Sequence, residues 1–167
     1  MKAAMRPVAP PPALPFHHPA VLLATWFGAG LLPRIPGTWG SLAALPFAWY
    51  IGAAFGASGL VVAAAIAFAI GCWAADRVSR AAEMRDPGFI VIDEVAAQWL
   101  VLAVAPDQPL AYAAGFVLFR IADIVKPFPA SWADRSLHGG LGIMLDDIFA
   151  AIYAGLALFL LMRFGLV

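Results

Sequence analysis

The 167-residue chain is 63% apolar and only 12% charged, whereas soluble domains are about 45–50% apolar and about 25% charged. Its formal net charge of zero excludes the basic excess that marks nucleic-acid-binding proteins, so nucleic acid is not an expected partner. The length suits one domain, residues 19–167. Because a spanning helix needs about 20 residues, we expect an all-α, polytopic membrane bundle with four or five short spans.

The N-terminal segment, residues 1–18, is rich in proline and has no apolar core followed by a small-residue cleavage site. It therefore does not read as a signal peptide, and we expect a disordered cytoplasmic lead. The next apolar stretch, residues 21–32, is short and interrupted by glycine. A re-entrant or interfacial segment suits it better than a span.

Residues 41–75 contain no formal charge, and this stretch is too long for one span. Gly52, Gly56 and Gly59 favour a turn near its middle, which predicts two helices over 41–56 and 58–75. The only cysteine, Cys72, lies in this stretch, so a disulfide framework is excluded. We interpret it as a small core residue.

Three more apolar helices follow in the sequence. The third is predicted from Val95 to the turn at residues 106–109, and the fourth from Leu110 through Asp123. The fifth is predicted to begin after Asp147 and to end near Arg163. The third and fourth are short for a bilayer, so we expect them to tilt, to thin the bilayer or to lie partly inside the protein.

The basic residues predict the orientation of this bundle. With the N-terminus in the cytoplasm, nine of the ten Lys and Arg residues fall on the cytoplasmic side, as the positive-inside rule requires. Only Arg163 lies outside. The polar segments 25–41, 76–94 and 120–147 then share the cytoplasmic face, and this predicts a single polar site.

The first polar segment reads FGAGLLPRIPGTWGS from Phe27 to Ser41. Glycines allow the backbone to approach a ligand closely, and amides at a helix start bind anions, so Gly37, Thr38 and Ser41 are candidates for binding phosphate. A simple turn with Ser41 as the helix N-cap explains the same letters. The GxxxxGK[ST] pattern of a nucleotide-binding loop is absent.

Two pairs of adjacent carboxylates stand beside apolar helices, Asp93–Glu94 and Asp146–Asp147. Acids at a helix start are favoured by the helix dipole, which is their structural explanation. Ionisable groups near membrane depth are costly and tend to be functional. Paired hard oxygen ligands favour Mg²⁺ or Mn²⁺ over zinc.

Arg120, Asp123 and Lys126 follow one another at a spacing of three in RIADIVKPFP, which places them on one helix face. They are interpreted either as ion pairs that complement a helix end or as an acid flanked by two cations that hold phosphate oxygens. His138 lies in a glycine-rich loop, where it is a candidate metal ligand, acid catalyst or loop hydrogen-bonding residue.

Together the segments GAGLLPRIPGTWGS, IDE, RIADIVKPFP and HGGLGIMLDD resemble the signature elements of the phosphatidylglycerophosphatase A family, in order from Phe27 to Asp147. The resemblance implies a bacterial inner-membrane, multi-pass, magnesium-dependent phosphatase whose site faces the cytoplasm. Its substrate would be a phospholipid in the bilayer, phosphatidylglycerol phosphate, which loses its terminal phosphate.

The resemblance also implies roles for particular residues. The implied metal ligands are Glu94, Asp123, Asp146 and Asp147. The implied catalytic residues are Asp93, Glu94, Asp123, Lys126 and Asp147. From the residues themselves we expect a further set to bind substrate: Gly37, Thr38, Ser41, Arg120, Lys126, Arg135 and His138.

The sequence argues against two kinds of nucleophile and leaves two others open. Cys72 and Arg77 are separated by four residues, whereas a cysteine phosphatase loop needs five, and the DxDx[TV] pattern is absent. Direct attack by water and an aspartyl nucleophile of another pattern both remain. An alternative of a different class is a small cation-binding transporter or assembly subunit, although charges confined to one face provide no path through both leaflets.

Overall fold

The computed structural model describes residue 11 and residues 13–105 and 107–167, and within them the chain is helical, without strands. Most of the predicted disordered lead lies outside the described residues. A 3₁₀ turn at Ala29–Leu31 lies between the first two of six α-helices. The helices are α1 Pro19–Ala24, α2 Pro36–Ala82, α3 Ile92–Leu102, α4 Pro109–Val125, α5 Ala130–Ser136 and α6 Gly139–Arg163.

Two helices, α2 and α6, are long and apolar enough to cross a membrane. Their outer faces carry large apolar side chains that are exposed, such as Phe55, Ile66, Leu156 and Phe159. A soluble monomer rarely exposes contiguous apolar patches of such extent. The surface therefore suits contact with lipid. The predicted all-α class is confirmed, with two candidate membrane spans among the described residues.

Helix α2 is a hairpin with its turn at Gly56. The backbone of Gly56 has φ 65° and ψ −162°, inside a segment that is otherwise helical. Only glycine adopts this conformation at low cost. The two halves of the hairpin lie side by side along the bundle. Gly40 of the first half packs against Val91, and Gly71 of the second half packs against the adjacent Ile92. The predicted turn in the middle of the charge-free stretch is confirmed.

Helix α2 begins at Pro36, earlier than predicted. Proline has its φ fixed near the helical value and lacks an N–H that the first turn would leave unpaired, so it starts helices well. Gly37, Thr38 and Ser41 therefore lie within the first turns of α2 and not in a turn before it. Ser41 is not the N-cap, because its hydroxyl donates to the Gly37 carbonyl at 2.9 Å inside the helix.

Helix α6 also begins earlier than predicted, at Gly139. Asp146 and Asp147 consequently lie about two turns inside the helix and not at its start. The early start is possible because Gly140 has no side chain. A Cβ at this position would overlap the Cys72 carbonyl of α2. Glycine thus allows the two backbones to approach closely.

Helix α3 lies between the α2 hairpin and α6 and is enclosed by protein. Its 11 residues cover about 16 Å at 1.5 Å per residue, about half of a bilayer core. The Trp99 indole donates to the Ala44 carbonyl of α2 at 3.0 Å, which fixes α3 against the hairpin. The third predicted span is therefore an interior helix that begins at Ile92 and has Asp93 and Glu94 in its first turn.

Candidate active site

Three carboxylates from two helices meet at one end of the bundle. Asp93 and Glu94 come from the first turn of α3 and Asp147 comes from α6, and one oxygen of each lies within 4.8 Å of the others. Asp93 is 9% exposed and Asp147 is 3% exposed. We refer to these three residues as the acid triad.

Each member of the acid triad has a buried oxygen without a hydrogen-bonding partner among the described residues. These atoms are Asp93 Oδ1, Glu94 Oε2 and Asp147 Oδ2. An unpaired buried carboxylate oxygen costs free energy, and three carboxylates this close together repel one another. An all-oxygen donor set of this kind fits a hard divalent cation such as Mg²⁺.

Arg120 of α4 joins the acid triad to the start of α2. Its guanidinium lies 2.9 Å from Asp123 Oδ2 and 3.7 Å from Glu94 Oε1. It also donates to the Ser41 hydroxyl at 3.2 Å. A Cβ at Gly37 would overlap Glu94 Oε1. The predicted residues Gly37, Ser41, Arg120 and Asp123 are thus brought to the same place as the triad.

Asp123 is buried beside Arg120 but is not a member of the acid triad. The Arg120 guanidinium contacts this carboxylate directly, and the two opposite charges compensate each other. Because Arg120 also approaches Glu94, it links Asp123 to the triad.

Lys126 follows α4 in a left-handed conformation with φ 46°. Its ammonium contacts Asp134 Oδ1 at 3.0 Å and also contacts Asp146 Oδ2. Burial would lower the pKa of Lys126, but hydrogen bonds and charge attraction, chiefly from Asp146, outweigh it and raise the pKa above its usual value. Asp146, which is predicted as a metal ligand, thus forms an ion pair with Lys126 and is not a member of the acid triad.

Three predicted residues make no hydrogen bond or ion pair with the triad among the described residues. Thr38 is half-buried in the first turn of α2. Arg135 is exposed, and its carbonyl accepts from Arg85. His138 is exposed and precedes α6, where it lines an open groove with Arg80.

Asp134 and Arg85 belong to the hydrogen-bonded network around Lys126, and the sequence did not single them out. Asp134 contacts Lys126, and Arg85 donates to the Asp134 carbonyl at 2.8 Å. Asp134 belongs to α5, a short helix that apolar periodicity does not reveal. The available signal was its place in the charge-rich segment between Lys126 and Asp146.

The fold and the site define a class of protein: a helical protein with two candidate membrane spans, a buried carboxylate cluster, and two cationic side chains, Arg120 and Lys126, that are held by ion pairs. Carboxylates that suit a divalent cation and basic groups that suit an oxyanion together equip a protein for phosphate chemistry. The sequence model of the family described as Phosphatidylglycerophosphatase A matches residues 22–162. The chain belongs to this family, which confirms the predicted resemblance and the prediction that it is an enzyme of the phosphatase class.

Curated relatives agree with the family assignment. Phosphatidylglycerophosphatase A of Escherichia coli is 41% identical over 149 residues, which cover 88% of this chain and 86% of the relative. The protein of the same name from Haemophilus influenzae is 39% identical and covers 85% of this chain and 88% of the relative. A protein of Bacteroides thetaiotaomicron named putative phosphatidylinositol-3-phosphatase is 38% identical, covering 80% of this chain and 87% of the relative. No solved structure matches the chain.

Proposed function

We propose that this protein hydrolyses phosphatidylglycerol phosphate to phosphatidylglycerol and inorganic phosphate, with Mg²⁺ held by the acid triad. The observation that carries the proposal is the set of three unpartnered, buried carboxylate oxygens of Asp93, Glu94 and Asp147. Two relatives that bear the name phosphatidylglycerophosphatase A support the choice of substrate.

The acid triad and the basic residues would have different roles: the triad would hold the cation, and the basic residues would hold the phosphate. A bound Mg²⁺ neutralises developing charge on a phosphate monoester and lowers the pKa of water. Arg120 would hold phosphate oxygens, since a guanidinium presents paired donors in a planar fork. Its contacts with Asp123 and Ser41 fix the guanidinium before substrate arrives, and a fixed donor costs little reorganisation during the reaction.

The location that suits this substrate is the cytoplasmic face of a bacterial inner membrane. Four crossings would be made by the two halves of α2, by α4 and by α6, with α3 enclosed among them. The 17 residues of α4 cover about 26 Å, so a slight thinning of the bilayer accommodates it. The acyl chains of the lipid would stay in the bilayer while its phosphate reaches the triad.

The test is an assay of phosphate release from phosphatidylglycerol phosphate in detergent micelles, with Mg²⁺ and with a chelator. We expect activity that requires the cation. Asp147→Asn should lower kcat by at least about 100-fold, because it removes one triad ligand and the charge stabilisation that depends on it. The matched control is Asp76→Asn, an acid on the same protein end that pairs with Arg80.

Each outcome of the assay bears on a different part of the proposal. Full activity of the chelated protein, or of Asp147→Asn, would remove the triad from the mechanism. A wild-type protein without phosphatase activity would favour the cation-binding transporter. Assay of phosphatidylinositol 3-phosphate in parallel tests the substrate, since one relative bears that activity in its name.

A further inference from the structure

A second group of charges, separate from the acid triad, surrounds Lys126. Asp146 of α6 is 7% exposed at its side chain and Asp134 of α5 is 39% exposed, and both accept from the Lys126 ammonium. An ammonium has three N–H donors. Two of them are used by these carboxylates, so one remains for a ligand.

The position of Lys126 in the chain explains why its side chain needs both carboxylates to hold it. It follows the last turn of α4 and precedes Pro127, so its backbone is not held by a continuing helix. A lysine side chain has a flexible four-carbon stem, and fixing it in one arrangement costs conformational entropy. Asp146 alone is a single anchor, whereas Asp134 adds a second from a different helix.

Asp134 is itself held in place by Arg85, which lies in the loop between α2 and α3. Arg85 donates to the carbonyl oxygens of Asp134 at 2.8 Å, Arg135 at 2.6 Å and Leu137 at 3.1 Å. These carbonyls belong to the C-terminal end of α5, where helix carbonyls lack intrahelical partners and carry partial negative charge. The guanidinium therefore fixes the backbone from which the Asp134 carboxylate extends.

We propose that Asp134 is a positioning residue of the phosphatase reaction, which holds the Lys126 ammonium so that its third N–H meets an oxygen of the phosphate monoester. Arg85 supports it by fixing the end of α5. This inference rests on the proposed function. Asp134 does not contact substrate, and it acts only through Lys126.

A double-mutant cycle tests this dependence. Lys126→Ala should lower kcat/KM about 100- to 1,000-fold, as loss of an oxyanion donor does. Asp134→Ala should lower it about 10- to 100-fold, because a misplaced group of this kind costs up to about 100-fold. The double variant should match Lys126→Ala within about two-fold, since a residue that acts only through another loses its effect when that residue is absent.

The matched control is Asp76→Ala. Asp76 is also a half-exposed acid in a helix; it pairs with one cation, Arg80, and is not a member of the triad. This variant should retain wild-type kcat/KM. Alanine is favourable in a helix, so both variants are expected to fold, and circular dichroism checks that they do.

A measurement independent of catalysis reports on Lys126 itself. The chain contains two lysines, Lys2 and Lys126, so amine labelling read by mass spectrometry resolves them. Asp134→Ala should speed labelling of Lys126 at least about three-fold and leave Lys2 unchanged, because the loss of one charge-assisted hydrogen bond weakens the hold on the ammonium.

The results separate failure of this inference from failure of the proposed function. Multiplicative effects in the double variant, full activity of Asp134→Ala, or unchanged labelling of Lys126 would each overturn the positioning role. Faster labelling combined with a wild-type protein that releases no phosphate would overturn the proposed function, and the role of Asp134 in catalysis with it.

Discussion

A substitution that adds one methyl group at Gly37 tests the geometry of the site. A Cβ there would overlap Glu94 Oε1 and lie 3.1 Å from Arg120 Nη2. We expect Gly37→Ala to displace this ion pair and to lower kcat up to about 100-fold, the effect of a displacement of about 1 Å. Phosphate release and circular dichroism measure activity and fold separately.

The control for this prediction is Gly88→Ala, since a Cβ at Gly88 meets nothing within 4 Å. Gly88→Ala should keep wild-type activity. If Gly37→Ala were equally active, the contact of Gly37 with Glu94 would have no part in the reaction.

Adjacent acids in a sequence do not have to share a site, and Asp146 and Asp147 illustrate this. The sequence groups them as a pair at a helix start, and family resemblance treats both as metal ligands. Within a helix, successive side chains point about 100° apart. Asp147 therefore joins the triad while Asp146 meets Lys126. The division depends on how α3 and Lys126 pack around α6, which the sequence alone does not give.

At the scale of elements, the contact between α6 and α2 depends on Gly140. A Cβ at this position would overlap the Cys72 carbonyl, so Gly140→Ala must push the helices apart. Overpacking of this kind costs about 1–3 kcal/mol. We expect a lower Tm in detergent, together with weaker activity because α6 carries Asp147.

Gly155→Ala is the control, because it makes the same change in the same helix. A Cβ there has Val101 Cα at 4.0 Å as its nearest neighbour, an ordinary contact. Alanine in a helix interior is favoured over glycine by up to about 1 kcal/mol, so Tm should stay constant or rise. A fall in Tm for both variants would point to a general intolerance of α6 and not to the Cys72 contact.

The elements differed in how far the sequence could predict them. The α2 hairpin was predictable because a glycine interrupts a charge-free run that is too long for one span. The short α5 was not, since the seven residues of Ala130–Ser136 are too few to show an apolar period. The interior position of α3 was equally hidden, because a buried helix and a short span are both apolar all round.

At the scale of the whole molecule, the basic residues predict an orientation in the membrane, and cysteine labelling tests this prediction. In a Cys72→Ala background, Met84→Cys would mark the end of the bundle that holds the site, and Ser58→Cys would mark the α2 turn. Both residues are exposed. Basic residues resist translocation, so we expect an impermeant maleimide to label Ser58→Cys in intact cells. Met84→Cys should react only after the inner membrane is opened. The reverse pattern would place the acid triad on the outer face, away from the cytoplasmic side that the basic residues predict.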